Sequence, residues 1–441
     1  MAALALAGCA GRSPSGGGPD STAGADEQST GRAGSTTAGA PPSTPAVGDL
    51  DPGVAYTFGR PDGNRLVGGT GRLPSVDPVD VPLDAEPVWL AGIADPPADG
   101  RRSLWAAVLA DGTVVGVRLG GADVERVDVA VPDRAATAGR NAVGPPAFAP
   151  DPPRLLGVEG GSTLTHPVRV GDALVGVAEN GTVLVADLDG RVRRRHGIDA
   201  LPDARPVTDG RVAAVLSGAT DRYGHGVLGD GTEASRVTLL RPADVDAGPT
   251  HRETPGETVV EGIAPILWGG EPLVTLSDAD AGARLALLTA DGPVSGPAIG
   301  TGFRWRHQLA VAPFGPDGGL EAAAVKTPHI GGVAEFYRHR GDRLELVASL
   351  SGYSTHAIGS RNLDTALAGD LDGDGRTELL VPTDAGDALA GLRRTEGGAT
   401  EGWRVDLPSP PATNLAGVAV DGATAVGVGL PDRLRFWPGE A

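Results

Sequence analysis

The run Ala-Gly-Asp-Leu-Asp-Gly-Asp-Gly-Arg-Thr-Glu-Leu-Leu-Val-Pro, residues 368–382, decides how this chain is read. Carboxylates stand at alternate positions, Asp370, Asp372 and Asp374; Gly375 follows, and Glu378 comes just before an apolar run. Calcium takes six to eight oxygen ligands, and a tight loop can offer one at every second residue. The side chains of Asp370, Asp372 and Asp374, the backbone carbonyl of Arg376 and the carboxylate of Glu378 are the expected donors to one Ca2+ ion. Gly375 permits the sharp turn after the third donor.

A helix–loop–helix calcium site would need an acid at loop position 12. Counted from Asp370, that position is Val381, inside the apolar run. The acid falls at Glu378 instead, followed by Leu379, Leu380 and Val381. The segment at 366–382 thereby resembles the FG-GAP (VCBS-type) repeat of integrin-α-like β-propellers. In that family such a loop joins two strands of one blade and holds calcium. The resemblance implies a propeller, with Ca2+ as its ion.

The rest of the chain from about residue 51 carries the same texture. Residues 173–179 and 182–186 are apolar runs flanking Asn180-Gly181, a hairpin signal because both turn positions tolerate positive φ. Asp111-Gly112, Asp291-Gly292 and Asp421-Gly422 punctuate similar runs. No window longer than about ten residues holds a helical period. Many strands without intervening helices imply a closed or radial all-β architecture.

An internal repeat sharpens this reading. Aligned 57 residues apart, Asp317 falls on Asp374, Gly318 on Gly375 and Glu321 on Glu378, while Pro313 and Gly315 replace the first two acids. This second copy keeps the turn and loses the ligands; residues 92–108 are a third, still more reduced copy. The period suits one four-stranded blade. It divides the chain near 85–131, 150–199, 200–243, 257–305, 306–360 and 361–412, leaving a remnant at 415–437. Residues 66–83 are expected to add the strand that closes the ring. Seven blades is the count, with six and eight as its neighbours, and the propeller domain covers 51–441.

Ahead of it, residues 10–50 are mostly Gly, Ser, Thr, Ala and Pro, too polar to offset the entropy of ordering, and are read as a disordered linker. Cys9 is the single cysteine, so an intramolecular disulfide and a zinc–thiolate site are excluded. Leu6-Ala7-Gly8-Cys9 resembles the lipobox of bacterial lipoproteins, although the usual basic n-region is missing. The resemblance implies that residues 1–9 are a signal remnant with a lipid on Cys9. A flexible tether after such an anchor lets a folded domain stand off a membrane, which places the domain outside the cytoplasm, in the cell envelope.

The net charge of −19 repels phosphate backbones, so nucleic acid is not an expected partner. Gly-His-Gly-Val-Leu-Gly at 224–229 fits a dinucleotide fingerprint on paper, but no helix pattern follows it. The basic run at 191–196 reads as a hairpin flank. His225, His329 and His356 sit in glycine-rich polar loops, and with Arg361 they form a candidate ligand site if those loops converge near the ring axis. Two function classes follow. One is a non-catalytic binding or scaffolding module for a protein or glycan, the usual role implied by the FG-GAP resemblance. The other is a polysaccharide hydrolase or lyase, which needs paired carboxylates facing an axial cleft; no sequence pattern identifies such a pair.

Overall fold

The computed structural model describes residues 53–96, 101–132, 144–226, 231–244, 246–356 and 362–439. Cys9, the linker at 10–50 and Arg361 lie outside them. Among the described residues every regular element is a strand, apart from one short 3-10 turn at Leu73–Ser75. The protein is an all-β propeller. Blade 1 is Pro87–Ala94, Ser103–Leu109, Val114–Gly120 and Asp123–Val127, paired antiparallel in chain order. Blades 2 to 6 repeat this meander at residues 168–197, 207–253, 266–295, 306–351 and 367–406.

Burial explains the sequence texture. The middle strands pack on both faces, as in Ser103–Leu109 and Ala173–Val177, where every residue is buried, so they read as continuous apolar runs. The outermost strands have one wet face and alternate. Val192–Gly197 is one of these, which explains the basic run: its arginines decorate the edge of blade 2. At Asp421-Gly422 both residues have positive φ, 47° and 81°, the geometry of a type I′ hairpin turn. Gly92 answers a different demand, since a Cβ there would lie 2.4 Å from the buried Trp105 ring.

Blade 7 closes the ring. Its strands Leu415–Val420, Ala423–Leu430 and Arg433–Trp437 are completed by Val79–Pro82, antiparallel to the last of them. Strand Leu66–Thr70 does not join that blade as a fifth member; it lies parallel between Leu367–Asp370 of blade 6 and Ala423–Leu430 of blade 7. The expected unit at 150–199 also divides. Only 168–197 form a blade; Ala147–Pro150 and Pro153–Leu156 pair with Ala55–Tyr56 in a small sheet of three strands. One face of that sheet (Ala55, Phe148, Leu155) packs on blade 1. The other (Tyr56, Ala147, Leu156) packs on blade 2, so the sheet is an eighth wedge in the ring.

The centre of the ring is filled by the chain itself. Between residues 61 and 70 the N-terminal segment hydrogen-bonds five blades in order. The Pro61 carbonyl accepts from Thr208 of blade 3, and the Asp62 carbonyl from Leu267 of blade 4. The Asn64 amide both donates to and accepts from the Val311 backbone of blade 5. The Arg65 carbonyl accepts from Ala368 of blade 6, and the Gly68 carbonyl from the Thr424 hydroxyl of blade 7. This segment supplies polar partners that open inner strands would otherwise lack.

Candidate functional site

Within each antiparallel blade, the turns from strand one to two emerge at one end of the ring. The turns from two to three and the connections between blades emerge at the other. The aspartate ladder of blade 6 joins strands one and two. The three loop histidines belong to the opposite end: His225 and His329 in two-to-three turns of blades 3 and 5, His356 in the connection from blade 5 to blade 6.

In the ladder, oxygens of Asp370, Asp372 and Asp374 lie within 4.8 Å of one another. Each carboxylate also accepts a backbone N–H further along the loop: Gly373 donates to Asp370, Asp374 to Asp372 and Arg376 to Asp374. Positive φ at Gly373 (88°) and Gly375 (81°) curls the chain around them. Glu378 is fully buried; its oxygens accept from the Leu371 N–H at 2.9 Å and from Arg393 Nε at 3.1 Å. Burial, reinforced by Asp372 and Asp374, pushes its pKa up to about 7 against the pull of the Leu371 N–H and Arg393. The Arg393 guanidinium also pairs with Asp372, and with Asp374 at 3.0 Å. Three carboxylates, Asp372, Asp374 and Glu378, therefore share one cation with Asp370 beside them, a donor set of the hardness and excess charge that suits Ca2+. Asp370, Asp372, Asp374 and Glu378, with the carbonyl of Arg376, are the residues that would hold it, and Arg393 is its competitor. The loop also holds the N-terminal segment: the Asp370 and Leu371 carbonyls accept from the Gly71 and Leu73 N–H groups.

At the other end, His225 Nδ1 hydrogen-bonds the buried carboxylate of Glu261, whose second oxygen accepts from the Ser277 hydroxyl. The His225 ring stacks on Phe303 at 5.2 Å, and Tyr223 touches Phe303 at 5.6 Å. His329 and His356 rings are 5.8 Å apart, and His356 meets Trp305 at 5.4 Å. Burial lowers the pKa of His329, and the nearby His225 lowers it further. The structure thus gathers all three predicted histidines, with Phe303 and Ile330 exposed beside them at 58% and 70%. They do not face an axial opening as expected, because residues 61–68 occupy the centre.

Sequence reasoning missed the polar centre of the ring. Asp364 there accepts from Arg65 at 2.6 Å, from Arg205 and from Thr57 at 3.2 Å. Burial alone would raise the pKa of Asp364, but the two guanidiniums overturn that and hold it well below the ordinary carboxylate range. Arg65 also donates to the carbonyls of Gln308, Leu309 and Leu363. His307 and His166 lie close by, both buried. Desolvation keeps them neutral, lowering His166 to about 3 and His307 well below its usual value. These partners are separated by 159 to 307 residues, and no local pattern marks them.

No protein-family model matches the chain, and no curated protein matches it. Among solved structures it is similar to BamB from Moraxella catarrhalis, at 10% identity over 84% of this chain and 96% of that one, with a TM-score of 0.39. Quinohemoprotein alcohol dehydrogenase ADHIIG from Pseudomonas putida HK5 gives 11% identity over 91% and 83%, with a TM-score of 0.49. The quinohemoprotein alcohol dehydrogenase from Comamonas testosteroni gives 10% over 88% and 80%, with 0.48. The blade count and the closure stand on the strand pairing itself.

Proposed function

We propose that this chain is a non-catalytic, extracytoplasmic binding or scaffolding propeller, anchored by a lipid on Cys9 and stiffened by Ca2+ in the FG-GAP-type loop of blade 6. The observation that carries the binding reading is the histidine-bearing end. His225, His329 and His356 from three connections gather there beside exposed Phe303 and Ile330. Exposed apolar side chains rimmed by polar ones are a feature of recognition surfaces.

The alternative, a polysaccharide hydrolase or lyase, requires two carboxylates across an axial cleft. The carboxylates at the centre are Asp62 and Asp364, and both are locked to arginines. Among the described residues no helix is long and apolar enough to cross a membrane, so the lipid is the attachment offered. Calcium in this reading stiffens the loop that grips residues 71–73, where the N-terminal segment crosses to close blade 7. The partner is a protein or a glycan.

Incubating the purified domain with a glycan panel and assaying new reducing ends tests the catalytic side. Turnover of any member overturns the non-catalytic reading. Replacing His329 and His356 by alanine tests the surface: retained melting temperature with lost ligand binding supports recognition, whereas a lowered melting temperature with binding intact assigns them to loop structure.

A further inference from the structure

We propose that a recess on the histidine-bearing end receives one neutral sugar residue; this rests on the non-catalytic binding reading and names a ligand class for it. The recess has a volume of about 220 Å³ and lies between the turn from strand two to strand three of blade 6 and the connections that flank that blade. Thr355, His356, Thr383 and Asp384 line it on the polar side, and Pro410 and Pro411 supply an apolar wall. It is larger than the roughly 150 Å³ cavity that takes up benzene. The size suits one six-membered ring carrying hydroxyls and is too small for an extended chain.

Two features point to the chemistry of the occupant. Thr355 is 2% exposed, yet its hydroxyl has no hydrogen-bond partner among the described residues. A buried hydroxyl left in that state costs free energy that a ligand hydroxyl would restore. Asp384 is exposed and makes no ion pair among the described residues. Its carboxylate only accepts, and its two oxygens can take the two O–H groups of a vicinal diol. The same charge, on a chain of net −19, disfavours phosphates, sulfates and uronates. Pro410 and Pro411 give an apolar wall for the C–H face of a pyranose to pack on.

Saturation-transfer NMR on the full chain, with D-glucose, D-galactose, D-mannose, N-acetyl-D-glucosamine and D-glucuronate as probes, tests the proposal. Transfer to at least one neutral sugar and none to glucuronate is expected. Asp384→Asn and Thr355→Val are each expected to weaken that sugar at least tenfold while the melting temperature holds. If Thr355→Val fails to fold, Asp384→Asn decides, because position 384 is exposed. Silence from all probes, equal transfer to glucuronate, or a signal that survives Asp384→Asn would overturn the sugar pocket. Those outcomes leave a protein-binding surface standing, whereas new reducing ends in the glycan assay strike at the binding reading itself.

Discussion

Blades 5 and 6 make the same turn between their first two strands and settle its charge in different ways. Glu321 and Glu378 open the second strand of each, both fully buried. The register places an arginine of the third strand beside each glutamate, Arg338 in one blade and Arg393 in the other. In blade 5, Asp317 and Glu321 meet two cations. Arg338 bonds both of them at 2.7 and 2.8 Å, and Arg394 reaches Glu321 from the next blade at 2.8 Å. In blade 6, Asp372, Asp374 and Glu378 share Arg393, with Asp370 beside them and no second cation paired to the group among the described residues. Gly315 stands where blade 6 has Asp372, and a Cβ there would fall 2.2 Å from Arg338 Nη2. Arg338 thus occupies the space that a side chain at 315 would take. One blade balances its carboxylates with protein cations, and the other leaves a deficit that a metal ion can fill.

The largest expected contrast lies at the two glutamates. Glu321→Gln strips the charge that holds Arg338 and the buried Arg394, and is expected to cost about 3–5 kcal/mol by chemical denaturation. Glu378→Gln, measured in chelator, replaces a carboxyl already pushed up to about 7, and is expected to cost less than about 1 kcal/mol. Equal losses at both positions would mean that the two loops rest on the same electrostatics.

Calcium comes next. At an ion concentration 100-fold above Kd, a site present only in the folded protein adds about 2.7 kcal/mol. Wild type is expected to show a calcium-dependent rise in melting temperature of that order, and Asp372→Ala to show none. A chelator titration with no effect on wild type would leave Arg393 as the only cation of the loop.

Removing the competitor sharpens the difference. Arg393→Gln is expected to tighten calcium binding about tenfold, equivalent to roughly 1.4 kcal/mol, as read by calorimetry. Arg338→Gln in blade 5 is expected to bind no calcium, because Pro313 and Gly315 offer no side-chain oxygens there. Calcium binding by the Arg338 variant would erase the distinction between the loops.

Much of this contrast was legible before any coordinates. The alternating acids at 370–374, the shared Asp-Gly and Glu of the two copies and the paired apolar runs all have a spacing of a few residues. The closing segment at 66–83 was found from the strand missing in the C-terminal remnant, although its pairing part, 79–82, meets a strand more than 350 residues away. The arginines that decide the charge were not legible, because Arg338 and Arg393 reach their acids across a sheet register, and Arg394 does so from another blade. Residues 61–70 were opaque for a related reason. Their partners are mostly backbone groups, spread over five blades, and such contacts leave no periodicity in the segment that makes them. The loop histidines were found because they stand out as titratable groups among glycines. The anchor of His225, Glu261, was missed because it is a lone carboxylate just past a two-residue strand, Val259–Val260, 36 residues from the histidine.

The smallest effect concerns Asp317, which keeps the charge of the blade 5 turn at the surface. Its carboxylate accepts two hydrogen bonds from Arg338 and one from the Gly319 N–H, and these lower its pKa to about 2. The folded value lies below that of a free aspartate, so its contribution is complete above pH 3.8 and fades as the pH falls through about 2. Carboxyl-carbon NMR is expected to place the midpoint of Asp317 near 2 in wild type. In Arg338→Gln the midpoint is expected to return part of the way toward 3.8, because the Gly319 N–H remains. Exposed pairs of this kind add little to stability, so the melting temperature of Asp317→Asn is expected to stay near that of wild type. A midpoint that ignores Arg338 would show that the turn, and not the arginine, sets this charge, and blade 5 would then lose its claim to have replaced the ion.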